Sequence, residues 1–172
     1  MKIKELFNIQ GKRFFITGGH TGVGRMIAEG VIENGGFVSI CGRRSELVQK
    51  ASQELQCTGF TADISTDKGI QRCVEIVGKI DVLINCAGTS RTNQFDEYTE
   101  EGWDEVMNVN LTAPFLLTQA FIPLLRGTKE QPGVVINIGS GEAIVAAGGS
   151  AYAYNASKAA LMYMPFKLQE DM

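Results

Sequence analysis

The chain has 172 residues, 44% of them apolar and 20% charged, and its 16 basic and 19 acidic side chains leave a net charge of -3. At ~100–200 residues per domain this is one globular domain, residues 1–172, too apolar for disorder and large enough to bury roughly 70% of its unfolded surface without a disulfide or metal staple. No basic block is present to neutralise a phosphate backbone, so nucleic acid is not an expected partner.

At the N-terminus, Met1 to Gln10 mixes Lys2, Lys4 and Glu5 with apolar residues but sustains no apolar core. No later run approaches the ~18 apolar residues of a membrane span, so a soluble, cytoplasmic protein without a membrane partner is expected. Short β-branched runs then alternate with longer helical stretches, the pattern of a doubly wound parallel α/β sheet of the Rossmann type. Five strands are predicted: Arg13 to Thr17, Phe37 to Cys41, Gly59 to Ala62, Val82 to Asn85 and Val134 to Ile138. Helices are predicted at Gly22 to Asn34, Ser45 to Leu55, Thr66 to Val77, Thr99 to Leu125 and from Ala151 to the end, with Ser45, Thr66 and Thr99 as N-caps. Gly127 to Gly133 reads as the loop before the fifth strand.

Directly after the first strand stands Thr17-Gly18-Gly19-His20-Thr21-Gly22-Val23-Gly24, a T-G-x-x-x-G-x-G loop opening a helix. Glycines there let the backbone turn sharply and approach a pyrophosphate seated on the free N–H groups of the helix. An ordinary glycine-rich turn has the same composition; its position in the first βαβ unit favours the dinucleotide reading. NAD sites of this kind carry an acid at the end of the second strand for the ribose 2′-hydroxyl. Here that strand ends Cys41-Gly42-Arg43-Arg44, and two guanidinium groups pair with a 2′-phosphate where a carboxylate would repel it. NADP(H) is therefore the expected cofactor, against the alternative of a solvated arginine pair opening a surface helix.

Cys41, Cys57, Cys73 and Cys86 stand too far apart for a C-x-x-C pair and read as buried thiols of a reducing compartment. The single histidine, His20, has no neighbouring cysteine, and no residues have zinc-ligand spacing, so no metal site is expected.

Two tyrosines have a lysine four residues on, Tyr154 with Lys158 and Tyr163 with Lys167. On a helix such a pair shares a face, and a lysine ammonium can lower the phenol pKa from about 10 toward a usable range. Tyr154 starts its helix 14 residues after Ser140, itself at the C-terminal end of the fifth strand, where open α/β sheets bind ligands. Pro165 is expected to interrupt the helix before Lys167, which leaves Tyr163 as a packing residue.

In this order, the cofactor loop, Asp63-Ile64, Asn85-Cys86-Ala87-Gly88, Asn108-Val109-Asn110, Ser140 and Tyr154-Asn155-Ala156-Ser157-Lys158 resemble the short-chain dehydrogenase/reductase family. The resemblance implies a tetrad. Tyr154 would exchange a proton with a carbonyl oxygen that Ser140 also hydrogen-bonds, Lys158 would hold the nicotinamide ribose and depress the phenol pKa, and Asn110 would support Lys158 through a water. It also implies cofactor contacts from Thr17, Gly18, Gly22, Val23 and Gly24, with Asp63 and Ile64 bracketing the adenine and Asn85, Ala87 and Gly88 passing beneath the cofactor. Cys86 stands where the family more often has a second Asn. Singly, Ser140 could be a turn former, Asn110 a mid-helix kink near Pro114 and Asp63 a strand-end acid.

The expected function is thus an NADP(H)-dependent oxidoreductase acting on a small-molecule or acyl-thioester carbonyl, most similar to 3-oxoacyl-[acyl-carrier-protein] reductases of the rhamnolipid-pathway type. Sugar-acid dehydrogenases, such as those of gluconate, are the substrate alternative. A homo-dimer or homo-tetramer is expected, because Ala113 to Leu125 and Ala159 to Phe166 are apolar almost all round and the sheet can cover one face only. The fold usually has six strands and five are found. Glu170 and Asp171 sit where a helix dipole disfavours anions, so the chain reads as cut at its C-terminus. A five-strand unit with Val134 to Ile138 as its edge is accordingly expected to lack turnover by itself, and a truncated, non-catalytic nucleotide-binding or assembly module is the alternative in function.

Overall fold

The computed structural model describes residues 8–125, 127, 132–145 and 149–171, with side chains considered for all of these except 166–171. Its strands are β1 (Arg13–Thr17), β2 (Phe37–Gly42), β3 (Thr58–Thr61), β4 (Val82–Asn85) and β5 (Val134–Asn137). They form one parallel sheet in the order β3-β2-β1-β4-β5. Each strand lies within a residue or so of its predicted bounds, because β-branched runs bounded by glycine or polar residues leave little latitude in where pairing stops.

Successive residues of β1 point to opposite faces of the sheet, and this alternation builds two cores. Phe15 joins Cys41, Phe60, Leu83, Leu117 and Phe121 on one face, while Phe14 and Ile16 join Ala28, Val31, Ile40 and Ile84 on the other. The helices α1 (Gly22–Glu33) and α2 (Ser45–Leu55) supply the second layer, and α3 (Asp67–Val77) supplies the first together with α5 (Ala113–Phe121). Phe15 is fully buried, with its ring centroid 5.9 Å from that of Phe60 and 5.3 Å from that of Phe121.

Capping explains where some helices begin. Gly69 N–H donates to Thr66 Oγ1 and Gly102 N–H to Thr99 Oγ1, both at 3.1 Å, so these two threonines are the caps expected. Ser45 is not: Arg44 occupies the cap position without a side-chain bond, and Ser45 is already helical.

The long helix expected at Thr99 to Leu125 is divided. It comprises α4 (Glu100–Met107), a π-helical turn over Asn108–Thr112, α5, and a 3-10 turn over Ile122–Leu124. Pro114 falls at the start of α5 and Pro123 inside the 3-10 turn, where a missing N–H is tolerated.

The last helix, α6 (Tyr152–Asp171), runs through Pro165 rather than stopping there. Tyr163 is 77% exposed, so it is not the core packing residue expected. Cys41 and Cys73 are buried as expected, but Cys57 and Cys86 are only half-buried. In the described sheet β5 is an edge, with Val134 and Ile136 exposed. The expectations for Met1 to Phe7, and most of the loop before β5, lie outside the described residues.

Replacing Phe15 with Ala should cost about 3–5 kcal/mol of stability, because it removes the ring that both Phe60 and Phe121 pack against. Met26→Ala, at a 69% exposed position of α1, should stay within about 0.5 kcal/mol. Chemical denaturation of both variants checks the pair.

Candidate active site

The strand order reverses direction at β1 and β4, and a cleft opens at the C-terminal ends of the strands there, the position that favours ligands in such sheets. Its volume is about 800 Å³. Its walls are the turn after β1, the ends of β2 and β3, the segment after β4, the end of β5 and the first turns of α6.

Thr17 ties the first wall to the fourth. Its hydroxyl oxygen accepts from the N–H groups of both Cys86 and Ala87 at 3.0 Å, and Gly18 N–H donates to the Cys41 carbonyl at 2.9 Å. Gly18 has φ +70, and a Cβ there would crowd the Ala87 backbone. A Cβ at Gly24 would strike the Gly18 carbonyl. The turn can therefore close only with glycine at these two places, which brings its backbone and the start of α1 against the cleft.

A second set of bonds fixes the other end of the cleft. Asn110, fully buried in the π-turn, accepts from Thr89 N–H at 2.8 Å through Oδ1 and donates through Nδ2 to the Thr89 carbonyl at 2.9 Å and to Ser157 Oγ at 3.1 Å. Ser157 Oγ in turn donates to the Tyr154 carbonyl at 2.8 Å. The segment after β4, the π-turn and the start of α6 are thereby held as one unit.

Tyr154 and Lys158 both line the cleft. Lys158 Nζ lies 5.9 Å from the centre of the Tyr154 ring and donates to the Ile138 carbonyl at 2.7 Å. With 4% exposure its ammonium is poorly solvated, and burial pulls its pKa below the usual lysine value, a shift that neighbouring Cys86 partly opposes. Burial conversely pushes the Cys86 thiol up, against the Lys158 charge.

Of the residues singled out from the sequence, Gly18, Val23, Gly24, Arg43, Arg44, Asp63, Ile64, Ala87, Gly88, Tyr154 and Lys158 form the cleft wall. Thr17, Gly22, Asn85, Asn110 and Ser140 stand outside that lining. Thr17 and Asn110 act from behind it, through the bonds just described. Asn85 is turned into the core, where its Nδ2 donates to Thr118 Oγ1 at 3.1 Å and to Asn137 Oδ1 at 2.9 Å. Ser140 caps a 3-10 turn (Gly141–Ala143), its Oγ accepting from Glu142 N–H at 3.2 Å. Asp63 Oδ1 is held by Ser65, from its N–H at 3.1 Å and its hydroxyl at 2.7 Å.

Sequence reasoning does not mark Ser157, Cys86 or His20 as working parts of the site. Ser157 lies inside the Tyr154-to-Lys158 motif, which is its only signal. His20 lies inside the glycine loop, where its side chain has no role that spacing could reveal.

The cleft fits a dinucleotide on its geometry: a glycine turn opening a helix at one end, exposed Arg43 and Arg44 at the rim, and a buried ammonium beside a phenol at the other end.

Comparison with known proteins agrees in kind. A family model described as short chain dehydrogenase matches residues 12–172. The rhamnolipids biosynthesis 3-oxoacyl-[acyl-carrier-protein] reductase of Pseudomonas aeruginosa is 38% identical over 96% of this chain and 69% of its own length. A 5-keto-D-gluconate 5-reductase of Escherichia coli K12 is 34% identical over 79% of this chain and 56% of its own length. The chain thus spans little more than half to about two-thirds of these relatives. Among solved structures, the Pseudomonas aeruginosa RhlG/NADP active-site complex superposes with a TM-score of 0.91 at 38% identity, over 96% of this chain and 68% of that one.

Thr17→Val should destabilise the chain by about 2–4 kcal/mol, since two N–H groups lose their shared acceptor at about 1–3 kcal/mol each and partly recover through water. Thr17→Ser should keep most of the stability, and thermal unfolding distinguishes the two. Lys158 has a depressed folded pKa, so as pH rises toward 10.5 the unfolded chain holds more protons than the folded one and folding gains stability. Denaturation of parent and Lys158→Met across that range should show the parent gaining on the variant as pH increases.

Proposed function

The chain belongs to the short-chain dehydrogenase family, and from that premise we propose that it is an NADP(H)-dependent oxidoreductase interconverting a carbonyl and a secondary alcohol. The observation that carries this reading is the convergence of Tyr154 and Lys158 on the cleft wall, opposite the glycine turn. When bound, the nicotinamide supplies the hydride.

The chain's own residues do the rest. Arg43 and Arg44, both exposed and in no ion pair with described residues, would hold a 2′-phosphate, and Gly42, the last residue of β2, adds no carboxylate to repel it. The Gly18-to-Gly24 turn and the start of α1 take the pyrophosphate, and Asp63 and Ile64 flank the adenine. Tyr154 transfers a proton through its hydroxyl to or from the substrate oxygen, and Lys158 keeps positive charge below Gly88 and beside the phenol. Ser140 is the second donor to that oxygen; to serve so, its hydroxyl keeps accepting from Glu142 and turns its hydrogen to the cleft. Asn110 acts on Lys158 through the backbone it holds.

The substrate we infer is a 3-oxoacyl thioester. Phe95 and Tyr98 meet Tyr152 edge-on, at 5.2 and 5.9 Å, two residues from Tyr154, and offer an apolar surface to an acyl chain. A sugar acid would need a cation there, and Arg91 is already spent on Glu105, with Nη2 at 2.6 Å and Nε at 2.9 Å from one carboxylate oxygen. A homo-oligomer is part of the same reading, since Phe115 and Ile122 on one segment, and Met162 and Tyr163 on α6, leave large apolar surface exposed. Among the described residues no helix is long and apolar enough to cross a membrane.

On the gene product, Tyr154→Phe should abolish nearly all thioester-dependent NADPH oxidation while leaving nucleotide binding intact, and Tyr163→Phe should leave turnover within about twofold. Steady-state kinetics with fluorescence titration tests both, and equal loss from the two variants contradicts the assignment. Sedimentation should show a dimer or tetramer at micromolar concentration; a well-folded monomer contradicts the oligomer.

A further inference from the structure

His20 is the one part of the cofactor turn that the proposed function leaves without work. It is nine-tenths buried, it lines the cleft, and among the described residues neither of its ring nitrogens finds a hydrogen-bond partner. A buried polar group without a partner is costly, so an imidazole kept in this state calls for a ligand or a steric reason.

The geometry at Gly42 supplies both. A Cβ built on Gly42 would overlap the imidazole, with Cε1, Nδ1 and Nε2 as its three nearest atoms. The nitrogen-bearing edge of the ring therefore lies in the space into which any side chain at position 42 would grow. Position 42 is the last residue of β2, where a nucleotide site for NAD carries the acid that binds the ribose hydroxyls. With the imidazole where it lies, that acid could enter only by displacing the ring.

Building on the NADP(H) reading above, we propose that His20 is a cofactor-specificity residue: its imidazole displaces the acid an NAD site would carry at position 42 and hydrogen-bonds the ribose 2′-phosphate. A half-turn of the ring about Cβ–Cγ exchanges Nδ1 with Cδ2 and so carries one nitrogen to the edge away from Gly42. No backbone movement is needed for this.

The surrounding charges suit an anion. Arg44 and Arg43 are the cations nearest in sequence to this corner of the cleft; of the two acids that line the cleft, Asp63 follows β3 and is held by Ser65, and Glu142 belongs to the 3-10 turn after β5. Burial and then the Arg44 charge hold His20 below its ordinary pKa, and the Cys41 backbone opposes this without completing a hydrogen bond. The imidazole is thus neutral in the free protein, with one N–H to donate. A 2′-phosphate beside it favours the doubly protonated ring and a second donor.

The experiment is fluorescence titration of the chain with NADPH and with NADH, for the parent, His20→Ala, Gly42→Asp and Gly42→Asp with His20→Ser, each checked for folding by thermal unfolding. In His20→Ala the ratio of NADH to NADPH dissociation constants should fall at least tenfold, the size expected for one hydrogen bond to a charged group, through loss of NADPH binding. Gly42→Asp alone should bind NADH poorly or lose thermal stability, because its carboxylate meets the imidazole. Adding His20→Ser should restore folding and tighten NADH binding at least tenfold over Gly42→Asp.

A ratio unchanged in His20→Ala, or NADH bound equally well by Gly42→Asp with and without His20→Ser, overturns the inference and leaves the NADP(H) reading standing. A parent that prefers NADH, or binds neither nucleotide, overturns that reading and this inference with it. If neither of the two variants that carry Gly42→Asp folds, His20→Ala alone decides.

Discussion

The site depends on one buried carboxamide. Asn110 is fully buried, and its oxygen and its nitrogen are engaged by Thr89 and Ser157 in three hydrogen bonds. A carboxamide so placed is costly unless satisfied, and once satisfied it tolerates few alternative arrangements of its partners. Asn110 and these two partners belong to three segments: the π-turn, the stretch after β4 and the N-terminal part of α6. Through Ser157 the same network reaches the Tyr154 backbone. A bond from Lys158 Nζ to the Ile138 carbonyl also ties α6 to the cleft wall.

The π-turn makes this possible. One extra residue in a turn rotates the remainder of the helix by about 100° relative to a regular one, and such bulges recur at functional sites. In this chain Val106 is buried before the change of phase, Val109 within it, and Ala113, Leu117 and Phe121 after it. The later three settle on the sheet beside Phe15, Phe60 and Leu83. The helix thus meets two different requirements along its length, aiming Asn110 at the site and its later residues at the core. Thr17 performs the corresponding service at the cofactor end, where one hydroxyl oxygen satisfies two successive N–H groups of the chain leaving β4.

Electrostatically the cleft is graded. Two exposed arginines stand at the β2 end and one buried ammonium at the phenol end. Exposed guanidinium groups keep their hydration until an anion arrives, whereas Lys158 has already lost most of its own and leans on a single carbonyl, that of Ile138. The charge beside the phenol is therefore the one whose protonation the protein controls, by burial first and by the neighbouring Cys86 second.

The sequence by itself determined the sheet, the glycine turn after β1 and the Tyr154–Lys158 pair. These rest on local physics: β-branched runs pair, only glycine fits a turn at φ +70, and residues four apart on a helix share a face. Thr66 and Thr99 were legible as caps for the same reason. Only the tertiary structure decided what depends on residues distant along the chain. It divided the segment from Thr99 to Leu125 at Asn110, because that side chain is satisfied by Thr89 and Ser157 and not by its own helix. It carried α6 through Pro165 and left Tyr163 exposed. It turned Asn85 toward Thr118 and Asn137, away from the cleft. And it laid the His20 ring over Gly42, two residues that are 22 positions apart in sequence and meet only because β1 and β2 are neighbours in the sheet.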